Sequence, residues 1–316
     1  MRNKLRDGRS QNLSLLKTDS PFIASFLAYL QFEKRYSPHT VTAYAADLYT
    51  FFTYLKTMEA GNQPGDISAV MIRSWLAALK SEGLSSRSVN RKIAALRSFF
   101  KYQLRQGVVD ADPMTQISAP KAGKRLPVFV ERKGTDRLFH QLEFPATFTG
   151  TLHRLLLEIL YHTGIRLSEL TGLKTGNVDF SGHTIKVLGK GGKERIIPVS
   201  GELCGHIRTY LEQKSALPEA DTQYLLVNEK GKKLYPKYVY RVVREQLGYV
   251  TTLEKRSPHV MRHTFATHLT NNGADLNAVK ELLGHASLAA TQVYTHNTIE
   301  QLRKVYEQAH PKSGKR

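Results

Sequence analysis

The side chains in this 316-residue chain whose types and spacing suit chemistry are two arginines, several histidines, a lysine in a glycine turn and a late tyrosine. Arg166 follows Thr163-Gly164-Ile165, and Lys190 lies within Gly189-Lys190-Gly191-Gly192. His259 and Arg262 are three apart behind Ser257-Pro258, and His285 follows Leu283-Gly284, with Tyr294 further on. Guanidinium forks match phosphate oxygens, so Arg166 and Arg262 suit the charge that develops in phosphoryl transfer. Three apart on a helix begun by Ser257-Pro258, His259 and Arg262 project from one face and can reach one phosphate together. A free tyrosine has a pKa of about 10. As a nucleophile Tyr294 therefore needs cationic neighbours and a proton acceptor, which the arginines and His259 can supply. Lys190, at the tip of a glycine-rich hairpin, can be carried to a leaving oxygen as general acid.

Each residue also has a plain structural reading. Tyr294 can be a packing residue, Lys190 a solvated turn, Arg166 an ordinary i,i+3 ion pair with Glu169, and His285 a helix C-cap. His259, His263 and His268 invite a zinc site by spacing. No carboxylate stands where a metalloprotease needs its base, however, and Arg262 between the histidines repels a cation. No metal is expected.

Elements that place these residues can be read from caps and periodicity. Ser20-Pro21 and Ser37-Pro38 open two helices with apolar stripes. A third runs over about 69–80, and a fourth from Ser86 to Gln106, closed by Gly107. Together they predict a helical bundle over 18–108. On the fourth helix Arg87, Arg91, Lys92, Arg97 and Lys101 form a candidate DNA-binding face, or a merely solvated one. A basic linker is expected over 109–130, a catalytic domain over 131–310 and a basic tail over 311–316. The second half reads as helices at about 132–142, 151–163 and 166–171, then a hairpin of His183–Leu188 and Glu194–Val199. A strand at Tyr224–Val227 and helices near 236–247, 258–271, 275–283, 287–294 and 298–309 follow. The fold class is mainly α with a small β-sheet.

Lys plus Arg is 46 against 27 for Asp plus Glu, a formal net charge of +19, which suits a polyanionic partner. An apolar fraction of 41% excludes a disordered polycation. No stretch has the length and apolarity of a membrane span, no secretory h-region follows the first basic residues, and Cys204 stands alone, so a cytoplasmic protein is expected. Cys204 itself reads as a small buried hydrophobe.

The order and spacing of Arg166, Lys190, His259-x-x-Arg262, His285 and Tyr294 resemble the active-site set of the tyrosine recombinase (phage integrase) family. TGIRLSEL, GKGGKERIIPV, SPHVMRHTFATHL and ELLGHASLAATQVYTH resemble its motif boxes, and the Xer recombinases of bacterial chromosomes are its most similar members. The resemblance runs from about Ser20 to the end and includes GLSSRSVNRKIAALRSFFKY.

It implies a SAM-like core-binding domain and a catalytic domain that clamp double-stranded DNA. It also implies a 3′-phosphotyrosyl intermediate on Tyr294 and a free 5′-hydroxyl, formed with no metal and no cofactor. Arg166 and Arg262 would bind the non-bridging oxygens, Lys190 would protonate the leaving oxygen, and His259 would act in proton transfer. His285 would hydrogen-bond the phosphate, and Glu169 would be the acid that holds the site together. The implied assembly is a homo- or heterotetramer with a related recombinase, a septal DNA translocase being a further partner in Xer systems. Ile299, Leu302, Val305 and Tyr306 form a stripe on the helix at 298–309 that either docks on a neighbouring protomer or packs on its own domain. Chromosome dimer resolution leads. An integrase or transposase of a mobile element, a type IB topoisomerase and a non-catalytic DNA-binding protein are the alternatives.

Overall fold

The computed structural model of the protein describes residues 20–59, 61, 63–121, 123, 128–189, 192–284 and 296–312, the side chains of 296–301 excepted. Lys190, His285, Tyr294, Ile299 and the expected helix at 287–294 lie outside the described residues and side chains. The chain divides into two compact units, Met1–Arg125 and Leu126–Arg316.

In the first unit, α1 (Pro21–Ala28), α2 (Pro38–Thr57), α3 (Ala69–Ser81) and α4 (Ser86–Arg105) follow in order, and a π-helical turn at Tyr29–Glu33 extends α1. The hydroxyls of Ser37, Ser68 and Ser85 accept the amides of Thr40, Met71 and Ser88, each satisfying a donor that the first helical turn leaves unpaired. The apolar stripes meet in a core around Phe26, Phe51, Trp75, Leu96, Phe99 and Phe100.

One charged pair lies inside it. Asp47 is 1% exposed and accepts Lys92 Nζ at 3.0 Å and Arg91 Nη1 at 2.5 Å. Lys92 also donates to Thr50 Oγ1 and stands over the Trp75 ring. Lys92 is therefore corrected from the DNA-binding face to the core: its ammonium is buried and occupied by Asp47. Removing one member of a buried pair strands the other charge, so Asp47→Ala should lower the stability of this unit by roughly 3–5 kcal/mol. Urea unfolding followed through Trp75 fluorescence measures it, and a loss below about 1 kcal/mol would refute the account.

The second unit is built on α6, with short helices before and after it: α5 (Arg132–Asp136), continued by a π-helical turn at Arg137–Gln141, α6 (Phe148–Thr163) and α7 (Leu167–Gly172). Every residue of α6 from Leu155 to Thr163 is buried. The antiparallel sheet has the order β1 (Val178–Asp179), β2 (Thr184–Leu188), β3 (Glu194–Pro198), with Ile185 opposite Ile197 and Val187 opposite Arg195. Alternation along β3 turns Arg195 and Ile197 to the buried face. Four longer helices follow: α8 (Gly201–Ser215), α9 (Pro236–Val250), α10 (Pro258–Asn271) and α11 (Leu276–Leu283). The chain then reaches α12 (His296–Ala309). No helix among the described residues is long and apolar enough to cross a membrane.

Two expectations change here. Helix α8 is an addition to the elements read from the sequence: Ser200 caps it, and Leu203, Cys204, Ile207 and Tyr210 form its buried stripe. Tyr224–Val227 is not a strand. Its backbone is satisfied by side chains instead, Tyr210 Oη accepting the Val227 amide and Lys214 Nζ donating to the Tyr224 carbonyl, with single bridges to Lys174 and Lys233. Of the two readings open for the stripe on α12, its described members pack on their own domain in this conformation. Leu302, Tyr306 and Ala309 are buried, Tyr306 Oη pairs with His162 Nδ1 at 2.9 Å, and Asn272 donates to the Ala309 carbonyl.

Candidate active site

The site forms where α6 stops. Gly164 ends that helix in the left-handed region (φ +59°), the chain turns through Ile165, and Arg166 precedes α7. In the first turn of α7, Glu169 reaches back to the Arg166 amide (Oε2, 2.7 Å) and to its guanidinium (Oε1 from Nη1, 2.8 Å). Arg166 and Glu169 are thus an ion pair, as one plain reading has it, and also part of something larger. Arg195 on β3 donates Nη1 and Nη2 to the two oxygens of the same carboxylate at 3.1 and 2.8 Å. Sequence reasoning passed over Arg195, and the signal for it was the period-two burial of β3.

Arg262 enters from α10, whose first turn is capped by Ser257. Its side chain is buried and donates Nη1 to the Gly164 carbonyl and Nη2 to that of Leu283, both at 2.7 Å. The end of α11 receives all three arginines: Leu282 O accepts from Arg195 Nε (2.9 Å), Leu283 O from Arg262, and Gly284 O from Arg166 Nη2 (3.1 Å). These carbonyls are the unpaired, partially negative end of a helix, so cations gather there favourably. Gly284 immediately precedes His285. Gly189, the residue before Lys190, lies beside Glu169, since a Cβ on it would fall 3.6 Å from Oε1.

The charge count is unbalanced. Three guanidinium groups share one carboxylate. Burial and the neighbouring Arg166 lower Arg262 to about 10, which leaves it cationic at neutral pH. Burial tends to raise the Glu169 carboxyl, but hydrogen bonds from Arg195 and the Arg166 amide prevail and hold it at about 2. Two net positive charges therefore remain in a half-dry site, an arrangement that an anion relieves.

His259, in the first turn of α10, is exposed, and its Nε2 lies 3.1 Å from that of His263. Burial, then His263, Lys255, Arg262 and Arg166, lower its pKa, so the imidazole is neutral at pH 7 and can accept a proton. His268 stands apart from this pair, its Nδ1 hydrogen-bonded to Tyr161 Oη inside the domain. Of the predicted residues, the structure brings together Arg166, Glu169 and Arg262 and sets His259 in the same helix turn as Arg262. On α4, Arg87 and Lys101 are exposed. Arg91 is held by Asp47, and Arg97 donates to the Ile117 carbonyl.

The Phage integrase family model matches residues 130–301, and the model of the phage integrase N-terminal SAM-like domain matches 23–107. The chain belongs to the phage integrase family, and its activity class is that of a site-specific tyrosine recombinase, an enzyme that breaks and rejoins DNA strands. Its relatives include the tyrosine recombinase XerC of Oceanobacillus iheyensis, 39% identical over 93% of this chain and 97% of that protein. The tyrosine recombinase XerC of Chlorobaculum tepidum is 35% identical over 92% and 95%. In fold the chain is similar to the XerH site-specific recombinase in a post-cleavage complex with its palindromic difH substrate (TM-score 0.70, 23% identity, 98% of this chain and 97% of that one). It is also similar to the Tn1549 transposon integrase bound to transposon right end DNA (TM-score 0.66, 16% identity, 90% and 98%).

Proposed function

We propose that Arg166 and Arg262 bind the non-bridging oxygens of a scissile DNA phosphate, with Tyr294 as nucleophile. The observation that carries this is the surplus of guanidinium charge around Glu169, with donors left on both clamp arginines after their bonds to protein are made. The tyrosine oxygen forms the new P–O bond as the bond to the 5′ oxygen breaks. His259 takes the phenolic proton, Lys190 gives one to the leaving 5′ oxygen, and His285 hydrogen-bonds the phosphate. The phosphodiester energy stays in the phosphotyrosyl link, so the cycle reverses without metal or cofactor.

Residues 18–108 serve as the core-binding domain, with Arg87, Arg91, Arg97 and Lys101 as its phosphate contacts. Residues 109–130 act as a basic linker, 131–310 as the catalytic domain and 311–316 as a basic tail. The protein works in the cytoplasm as a tetramer, alone or with a related recombinase, on paired DNA sites. Chromosome dimer resolution is the role proposed, because the curated relatives are tyrosine recombinases named XerC.

The test is covalent trapping. A duplex site shown to be bound is nicked beside the scissile phosphate so that the 5′-hydroxyl fragment diffuses away, and the adduct is digested and its peptide mapped. A nucleotide on the peptide bearing Tyr294 is expected. An adduct on another residue overturns the assignment of the nucleophile. No adduct, with a related recombinase also tried as partner, favours a binding protein.

A further inference from the structure

Arg195 has no assigned role, and its surroundings limit what it can do. Its side chain is 4% exposed. Nε, Nη1 and Nη2 are all engaged, one with Leu282 O and two with the Glu169 carboxylate. Gly284 closes over it, for a Cβ there would fall 3.1 Å from its Cδ and 3.2 Å from Nη1. A guanidinium so enclosed does not reach a substrate phosphate.

What it does touch is informative. Glu169 accepts four hydrogen bonds, two from Arg166 and two from Arg195, so Arg195 determines which way the carboxylate faces Arg166. Through Nε the same side chain holds Leu282 O, at the end of the helix after which the chain runs on to His285 and Tyr294. We propose that Arg195 is a positioning residue: it locks the Glu169 carboxylate that orients Arg166 and, in the same fork, anchors the end of α11, whose last carbonyls also receive Arg262 and Arg166, so that both clamp arginines are set in one frame. Lysine is no substitute, because a single ammonium cannot span a carboxylate and a carbonyl in the way a planar fork does. This inference rests on the assignment of Arg166 and Tyr294 made above.

Single-turnover cleavage of the nicked duplex tests it, with DNA affinity measured alongside. Arg195→Met should slow adduct formation by about 100-fold, the order expected when a reacting group is misplaced by about 1 Å. DNA affinity should stay within about threefold of wild type, because Arg195 touches no phosphate. Arg195→Lys should recover part of the rate and remain about tenfold slow, keeping the charge but losing the two-point fork. The decisive readout is the cycle with Arg166→Ala. If Arg195 acts through Arg166, the double variant is little slower than Arg166→Ala alone, whereas a merely structural contribution multiplies. Wild-type rates in either Arg195 variant, or a fully multiplicative cycle, would overturn the proposal. Should Arg195→Met not fold, as judged by its circular dichroism and DNA binding, Arg195→Lys alone decides, in single and double form. Absence of an adduct with wild type would instead strike at the assignment of the site itself, so the two failures are distinct.

Discussion

Arg262→Ala should slow covalent complex formation by roughly 10³-fold or more, with DNA affinity lowered much less. One preorganised donor to a developing oxyanion accounts for about 10²–10³-fold in rate. Arg262 supplies more than one donor, because its bonds to Gly164 O and Leu283 O fix the direction in which its remaining N–H groups point. The arginine is also held in an unfavourable ground state, lowered to about 10 by burial and by Arg166. A phosphate entering between the two guanidinium groups relieves that repulsion, and more so as charge builds on its equatorial oxygens, so the benefit falls on the transition state. Arg262→Lys should recover little, since an ammonium cannot bridge two carbonyls and still present a fork to the phosphate. Single-turnover trapping at saturating protein measures this, and an Arg262→Ala rate within tenfold of wild type would remove Arg262 from the clamp.

Much of this arrangement can be read without coordinates, and the parts that cannot have physical reasons. Serine caps and apolar spacing locate α2, α3 and α4 because local hydrogen bonding and one-sided burial leave marks at fixed intervals. The same spacing held a warning about Lys92. It continues the stripe Val89, Lys92, Ile93, Leu96, Phe99, so its place is in the core, and only its charge suggested the surface. Arg195 was hidden for a related reason: a strand's period-two pattern put it inward, while a charged residue in a lysine-rich hairpin reads as solvated. Helix α8 was lost between a hairpin and an expected strand, and the supposed strand fails because Tyr210 and Lys214 take its backbone groups. No pattern announces that Leu282, Leu283 and Gly284 each meet a different arginine, since that depends on how α7, β3, α10 and α11 converge.

Gly164→Ala should combine a large loss of stability from a single methyl with a loss of catalysis. The residue has φ +59°, where an L side chain costs about 1–2 kcal/mol. The added Cβ would lie 2.4 Å from Phe265 Cδ1 and 3.0 Å from Leu283 Cδ2, and overpacking of a well-filled site costs typically 1–3 kcal/mol more. A total of roughly 2–5 kcal/mol is therefore expected from urea unfolding of the catalytic unit. Gly273 separates the two contributions, because its φ is +86° but nothing lies within 4 Å of its Cβ position, so Gly273→Ala should cost only the conformational part. The functional consequence follows from what must move. Phe265 is on α10 with Arg262, and Leu283 O accepts from Arg262, while Gly164 O accepts from its other nitrogen. Relief of the clash by shifting α10 or the end of α11 separates Arg262 from Arg166, so the rate of adduct formation should fall about 100-fold even where the variant is folded. If Gly164→Ala were no less stable than Gly273→Ala, the close packing of α6, α10 and α11 around this glycine would not be what holds the two arginines together.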